Sequence, residues 1–239
     1  MTTVGILYPG HAAEDDYPTA EKLLGPDVSL PVVHTYGEDL HAVDALLDLG
    51  RSDRLAVGAA SLSKYHPDAV LWACTSGSFV FGWEGATAQA EGLAAAAGVP
   101  ATSTSFAFVR AAQALGVRRV AVAASYPAEV ATHFAEFLGR GGLSVTGLSS
   151  QGIVTAAEVG QLDPADVVEL ACAHDTPDAE AVLVPDTAMR TVALVDEIEE
   201  RLGKPVLTAN QVTIWAGLRL AGHDGAHDGP GALFRTGRS

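Results

Sequence analysis

The chain has 239 residues, of which 48% are hydrophobic and 18% charged, with a formal charge of −15. That length allows one large or two small domains around a sizeable core, and the composition excludes general disorder. The acidic balance argues against a nucleic-acid or anionic-membrane partner. Two cysteines are too few for a disulfide framework or a Cys-rich zinc module, and no apolar run is long enough to span a membrane.

In chain order, short apolar runs predict strands at Thr3–Tyr8, Leu30–Thr35, Ala69–Cys74, Pro100–Ser103, Arg119–Ser125, Ser144–Leu148, Ala181–Pro185 and Pro205–Thr208. Helical periodicity fills the longer stretches between them: Gly37–Leu62, Glu84–Ala97, Phe106–Leu115, Ala128–Leu138, Thr191–Leu202 and Val212–Leu220. Near-continuous apolar strands alternating with helices imply parallel sheets covered on both faces. The Gly-, Asp- and His-rich tail from His223 to Ser239 reads as irregular. The opening MTTVGILYPG has no basic n-region or cleavage pattern, so a reduced, cytoplasmic protein is expected.

The pattern repeats. Asp68-Ala69-Val70-Leu71-Trp72-Ala73-Cys74-Thr75-Ser76 parallels Glu180-Ala181-Val182-Leu183-Val184-Pro185-Asp186-Thr187-Ala188, and Gly98-Val99-Pro100 parallels Gly203-Lys204-Pro205. Tyr8-Pro9 ends the first strand, as Tyr126-Pro127 follows a later one. The unit is too long for a solenoid repeat, so a duplicated α/β half is expected, with the join near Gly116-Val117-Arg118. The predicted fold is two similar Rossmann-like lobes related by a pseudo-twofold axis, with the active site between them. Residues 1–116 plus 212–239 form the first lobe and 117–211 the second.

Ligands of parallel α/β domains bind beyond the carboxyl ends of the strands, where Cys74 and Asp186 fall at equivalent positions. Cys74-Thr75-Ser76-Gly77-Ser78 combines a thiol with backbone N–H groups and hydroxyls that can cradle an anion. Asp186 is either a helix cap or a site residue, and Arg190 either pairs with a carboxylate or lies in solvent. The Tyr126 phenol can donate to an oxyanion or pack at a strand edge. Cys172, in an apolar helical pattern, is assigned to the core. None of the eight histidines forms a metal-ligand pair such as H-E-x-x-H; His223-Asp224 and His227-Asp228 lie in the Gly-rich tail, and no metal is expected. P-loop, G-x-G-x-x-G and G-x-S-x-G patterns are absent from the sequence.

Taken together, Trp72-Ala73-Cys74-Thr75-Ser76-Gly77-Ser78-Phe79, Ala114-Leu115-Gly116-Val117-Arg118-Arg119-Val120-Ala121, Tyr126, Asp186-Thr187-Ala188-Met189-Arg190-Thr191, Leu202-Gly203-Lys204-Pro205-Val206 and Leu218-Arg219-Leu220-Ala221-Gly222 resemble the aspartate/glutamate racemase superfamily. The resemblance is to its branch of arylmalonate decarboxylases and maleate cis-trans isomerases. It implies a cofactor-free site between two lobes, binding a small carboxylate substrate. Thr75, Ser76 and Tyr126 would form its cradle, Thr187 and Ala188 its other side, and Pro9 and Gly10 its entrance. A monomer or small homo-oligomer is expected. The chain departs from the pattern in two ways. Racemases and maleate isomerases of this kind carry a cysteine in each half, and arylmalonate decarboxylases only the second-half one, whereas here Cys74 stands in the first half opposite Asp186. The asparagines of maleate isomerases, after the first strand and near Ile153–Ala157, are absent, which argues against maleate itself.

Three functions follow. The first is decarboxylation of a malonate-type acid, with Cys74 protonating the carbanion. The second is isomerisation or racemisation of a small carboxylic acid, where ordinary pKa values of about 8.5 for Cys and about 3.9 for Asp are poorly matched for two-way transfer. The third is anion binding without catalysis.

Overall fold

Runs of Val, Leu and Ala without polar interruption suit strands shielded on both faces, and they are placed so in a computed structural model that describes residues 1–37, 40–223 and 229–235. The first sheet contains β1 (Thr2–Pro9), β2 (Val28–Ser29), β3 (Val32–Thr35), β4 (Ala69–Trp72) and β5 (Ala101–Ser103). The second contains β6 (Arg119–Ala124), β7 (Ser144–Ser150), β8 (Ala181–Val184) and β9 (Val206–Thr208). The order is β2-β1-β4-β5, with β3 continuing the β2 edge along β1, and β7-β6-β8-β9 in the second sheet; every pairing is parallel. The two orders correspond strand for strand. β4 and β8 are central in their sheets and fully buried, so the segments leaving them open at equivalent places. Among the described residues no helix is long and apolar enough to cross a membrane.

The halves are joined by helices. Thr104–Ala114 packs along Ala209–Leu220, where the Thr104 and Thr213 hydroxyls lie 2.6 Å apart. Helix Ala209–Leu220 also crosses β1 and β4, and it comes so close that a Cβ on Gly217 would overlap Val4. Phe134, from the second half, packs at a tilt against Phe79 and edge-on against Phe108 of the first.

Five points of the sequence reading need correction. The predicted helix Gly37–Leu62 is two helices, Val43–Leu49 and Ser52–Leu62. Arg51 takes extended angles between them, and Leu40 makes an antiparallel bridge to Thr155 instead of joining a helix. The strand expected at Leu30–Thr35 is broken before Val32, because Pro31 has no N–H to give a ladder. A helix over Asp16–Leu24 was not anticipated; Gly25, at φ 91°, ends it. The tail is not wholly irregular: Gly231–Arg235 is helical, with Leu233 and Phe234 buried and the Ala232 N–H donated to Glu199. His227 lies outside the described residues, and His223 meets the Thr2 hydroxyl at 3.0 Å. Cys172 is only partly buried at the edge of the second core, where burial pushes its thiol up.

The Asp16 carboxylate pins the first half to the segment after β8. It accepts from the backbone N–H groups of Thr191 (2.9 Å) and Val192 (3.3 Å) and from Asn210 Nδ2 (3.0 Å). Burial outweighs these donors and raises its pKa above the ordinary carboxylate value. The native state therefore holds more protons than the unfolded chain just above about pH 3.9, and stability falls as pH rises through that window. Asp16→Asn removes this titration while keeping an acceptor. The stability of the variant relative to the parent should therefore rise as pH is raised from about 4 through the window; urea melts across pH read this directly.

Candidate active site

The first-half segment leaves β4 as Ala73-Cys74-Thr75 and enters a helical turn at Ser76–Phe79. The Gly77 N–H is donated to Cys74 Sγ at 3.2 Å, and Ser76 Oγ lies 3.7 Å from the same sulfur. Residue 77 must be small, since a Cβ there would stand 2.9 Å from that sulfur. The Gly77 carbonyl accepts from the Trp72 indole (3.2 Å) and from Gln89 (2.9 Å), and the Thr75 carbonyl accepts from Ser105 (2.8 Å). The loop is therefore fixed from behind by side chains of β4 and of the two following helices. An N–H aimed at sulfur stabilises the thiolate left after a proton is given away. The Thr75 hydroxyl oxygen is buried with no hydrogen-bond partner among the described residues. A buried hydroxyl left so costs about 1–3 kcal/mol, which an incoming acceptor would recover.

The second-half segment leaves β8 as Pro185-Asp186-Thr187. Asp186 Oδ1 accepts the Ala188 N–H at 2.9 Å, and Oδ2 accepts the Ser125 hydroxyl. His41 Nε2 lies 3.7 Å from Oδ2. Arg190 does not reach this carboxylate: it clasps Asp15 at 2.9 Å and the Gly160 carbonyl. The Thr187 carbonyl accepts from Tyr8 (2.9 Å) and Asn210 (3.1 Å), and the Tyr8 hydroxyl in turn accepts the Ala13 N–H. Pro9 ends β1 next to Tyr8, and Gly10 follows at φ 58°.

Tyr126 sits between the halves. Its ring meets Phe79 edge-on at 6.0 Å and His41 at 4.8 Å, and its hydroxyl donates to the Pro185 carbonyl at 2.8 Å. Tyr17 lies within the electrostatic reach of Cys74 and donates to Asn210 at 3.2 Å. Burial above all, then the charges of Asp16 and Cys74, holds the Tyr17 phenol well above its usual range, so it remains a donor. The site is closed: Cys74, Thr75, Ser76, Tyr126, Asp186, Thr187 and Ala188 are each at most 5% exposed. An open groove of about 530 Å³, lined by Trp83, Phe106 and Arg110, shares no residue with it.

Sequence reasoning missed His41, Ser125, Tyr17 and Asn210. Ser125 adjoins Tyr126 and was open to the same strand-end argument. His41 stood inside a predicted helix, and nothing local marks it. A further cluster, His11 and Glu14 after β1 with His34 of β3, gathers potential metal-ligand atoms within 4.8 Å of one another. Its geometry is accounted for by bonds from His11 to Glu14 (2.9 Å) and from His34 to the Gly10 carbonyl.

The sequence model of the family described as arylmalonate decarboxylase matches residues 35–234. The chain belongs to the arylmalonate decarboxylase family. It is 35% identical over 163 residues to the arylmalonate decarboxylase of Bordetella bronchiseptica, covering 67% of this chain and 68% of that one. It is 27% identical over 190 residues to a maleate isomerase of Geobacillus stearothermophilus, covering 77% and 72%. Among solved structures it is similar to a liganded double mutant of arylmalonate decarboxylase in which a glycine is replaced by cysteine and a cysteine by serine. That match has a TM-score of 0.87 and 29% identity, over 98% of this chain and 99% of the other. In this arylmalonate decarboxylase family member, one strand-end segment holds a thiol beside an unpartnered hydroxyl. Its counterpart holds a carboxylate already satisfied by protein donors.

Proposed function

We propose that this chain decarboxylates a small malonate-type acid and that Cys74 delivers the proton. The observation that carries the reading is the buried, unpartnered Thr75 hydroxyl beside a thiol whose sulfur accepts the Gly77 N–H. One substrate carboxylate would lie against Thr75 and Ser76, with the Tyr126 ring as a wall; its hydroxyl, expected from the sequence to donate to the substrate, is given to the Pro185 carbonyl instead. The bond from the α-carbon to the other carboxylate breaks and CO2 leaves. The electron pair is delocalised into the retained carboxylate, where hydroxyl donors stabilise the growing charge. The Cys74 S–H proton then moves to the α-carbon, Gly77 steadies the thiolate, and solvent restores its proton. The chemistry agrees with the family. The lobes in this reading are 1–116 with 212–239, and 117–211, and the anion sits between them.

A second reading, isomerisation or racemisation, is favoured by Asp186, which occupies the position equivalent to Cys74 and has His41 behind it. One experiment separates the two: incubation in D2O with a prochiral α-aryl-α-methylmalonate. Decarboxylation through Cys74 gives CO2 and a monoacid deuterated at the α-carbon with one hand in excess. That hand should be opposite to the one made by decarboxylases whose thiol stands in the second half. Deuterium exchange into an enantiopure 2-arylpropionate, which carries an α-hydrogen, or racemic product from the malonate, would favour the second reading, and neither reaction on either compound would leave only anion binding.

A further inference from the structure

We infer that His41 is an imidazolium whose charge cancels that of Asp186, so that the second-half face is a neutral ion pair and an anionic substrate can lie opposite Cys74. The inference rests on the proposed reading that the substrate is an anion. It starts from hydrogen-bond accounting. His41 Nδ1 meets the Ile153 carbonyl at 2.8 Å, and a carbonyl only accepts, so Nδ1 carries a proton. Nε2 is then the nitrogen that faces Asp186 Oδ2 at 3.7 Å, and the two side chains are 1% and 4% exposed. Asp186 already accepts from Ser125 and from the Ala188 N–H, the pattern of an ionised carboxylate. A neutral imidazole would turn a lone pair toward that charge, whereas a protonated one opposes it. Two neutral donors leave the net charge of a carboxylate in so dry a place unmatched, and an opposite ion supplies the compensation.

The ring is also held where the pairing needs it. The His41 N–H donates to the Val154 carbonyl at 2.9 Å, and the adjoining Leu40 makes the antiparallel bridge to Thr155. Among the described residues, Tyr126 also packs on the imidazole; its ring stands at 83° to it and its hydroxyl is committed to Pro185. His41 is thus a positioning residue. It acts on the substrate through Asp186, and the functional consequence is electrostatic: without it, a bare carboxylate would face the substrate's own.

Two measurements test this. In ¹⁵N-histidine NMR of the unliganded parent at neutral pH, His41 should show both ring nitrogens protonated. In Asp186→Asn it should revert to a single Nδ1–H. A neutral imidazole in the parent overturns the proposal, and this result needs no substrate and no folded His41 variant. The second measurement is calorimetric binding of malonate. His41→Gln should weaken it by roughly tenfold or more, as expected for one uncompensated charge close by. Adding Asp186→Asn should restore it, because the repelling charge is gone. A double variant that binds no better than His41→Gln indicates a merely structural role and overturns the proposal. Should the parent bind no malonate and turn over no arylmalonate, the functional reading fails, and the ¹⁵N spectrum alone then upholds or overturns the His41–Asp186 ion pair.

Discussion

Cys74→Ala should lower kcat for decarboxylation by about 10²–10⁴-fold, the usual contribution of a positioned general acid, while KM changes far less. The thiol is fixed by the chain around it. It stands two residues past β4, the Gly77 N–H points at its sulfur, and its loop is tied down through Trp72, Gln89 and Ser105. The ties through Trp72, Gln89 and Ser105 do not use the sulfur, so the alanine variant should fold. Circular dichroism and a thermal melt within a few degrees of the parent would show that. Cys74→Ser is the sharper control. It keeps a donor of similar size at the same place but with far lower acidity, so it should lose nearly as much turnover as alanine. Substantial activity in either variant would exclude Cys74 as the proton donor and move attention to the Asp186 face.

The strands and the equivalence of Cys74 with Asp186 were legible because both depend on local pattern. Ala69–Trp72 and Ala181–Val184 are apolar runs too short and too uniformly buried to be anything but inner strands, and each is followed at the same spacing by a polar residue. The partners of Asp186 were not legible. Ser125 comes from the end of β6, Ala188 from its own loop, and His41 from a segment whose apolar spacing reads as one long helix. That spacing does not reveal the Leu40–Thr155 bridge, because such a pairing joins two loops of different halves and leaves no periodic trace. The same is true of Asp16 and Asn210, which meet only because helix Ala209–Leu220 returns across the first sheet. Charge-pair guesses from sequence neighbours fail for a related reason: Arg190 lies four residues from Asp186, yet its planar guanidinium turns to Asp15 in the other half.

Gly50→Ala should destabilise the fold by about 3 kcal/mol, in the range of overpacked cores, and should also slow turnover. The penalty is steric, because Gly50 has φ −85° and ψ 13°, angles that alanine adopts freely. The space is what is missing. A Cβ on Gly50 would overlap the Gly77 carbonyl oxygen and stand 2.7 Å from Gln89 Nε2 and 2.8 Å from the Phe81 ring. Gln89 joins exactly these two backbones, donating to the Gly50 carbonyl at 2.7 Å and to the Gly77 carbonyl at 2.9 Å. Gly77 cannot retreat without withdrawing its N–H from Cys74, and Gly50 cannot retreat without unseating Val43–Leu49 and Ser52–Leu62 on either side. A methyl group at residue 50 therefore pushes on the thiol through one rigid carbonyl. The measurable signature is a joint one: a lower urea midpoint with unchanged slope, and a reduced kcat in the fraction that remains folded. Gly92→Ala, a glycine in helix Gly82–Ala97 whose added Cβ would meet nothing within 4 Å, is the matched control and should be neutral or slightly stabilising. If Gly50→Ala melts like Gly92→Ala and turns over normally, then the contact between residue 50 and the Cys74 loop does not hold the thiol in place.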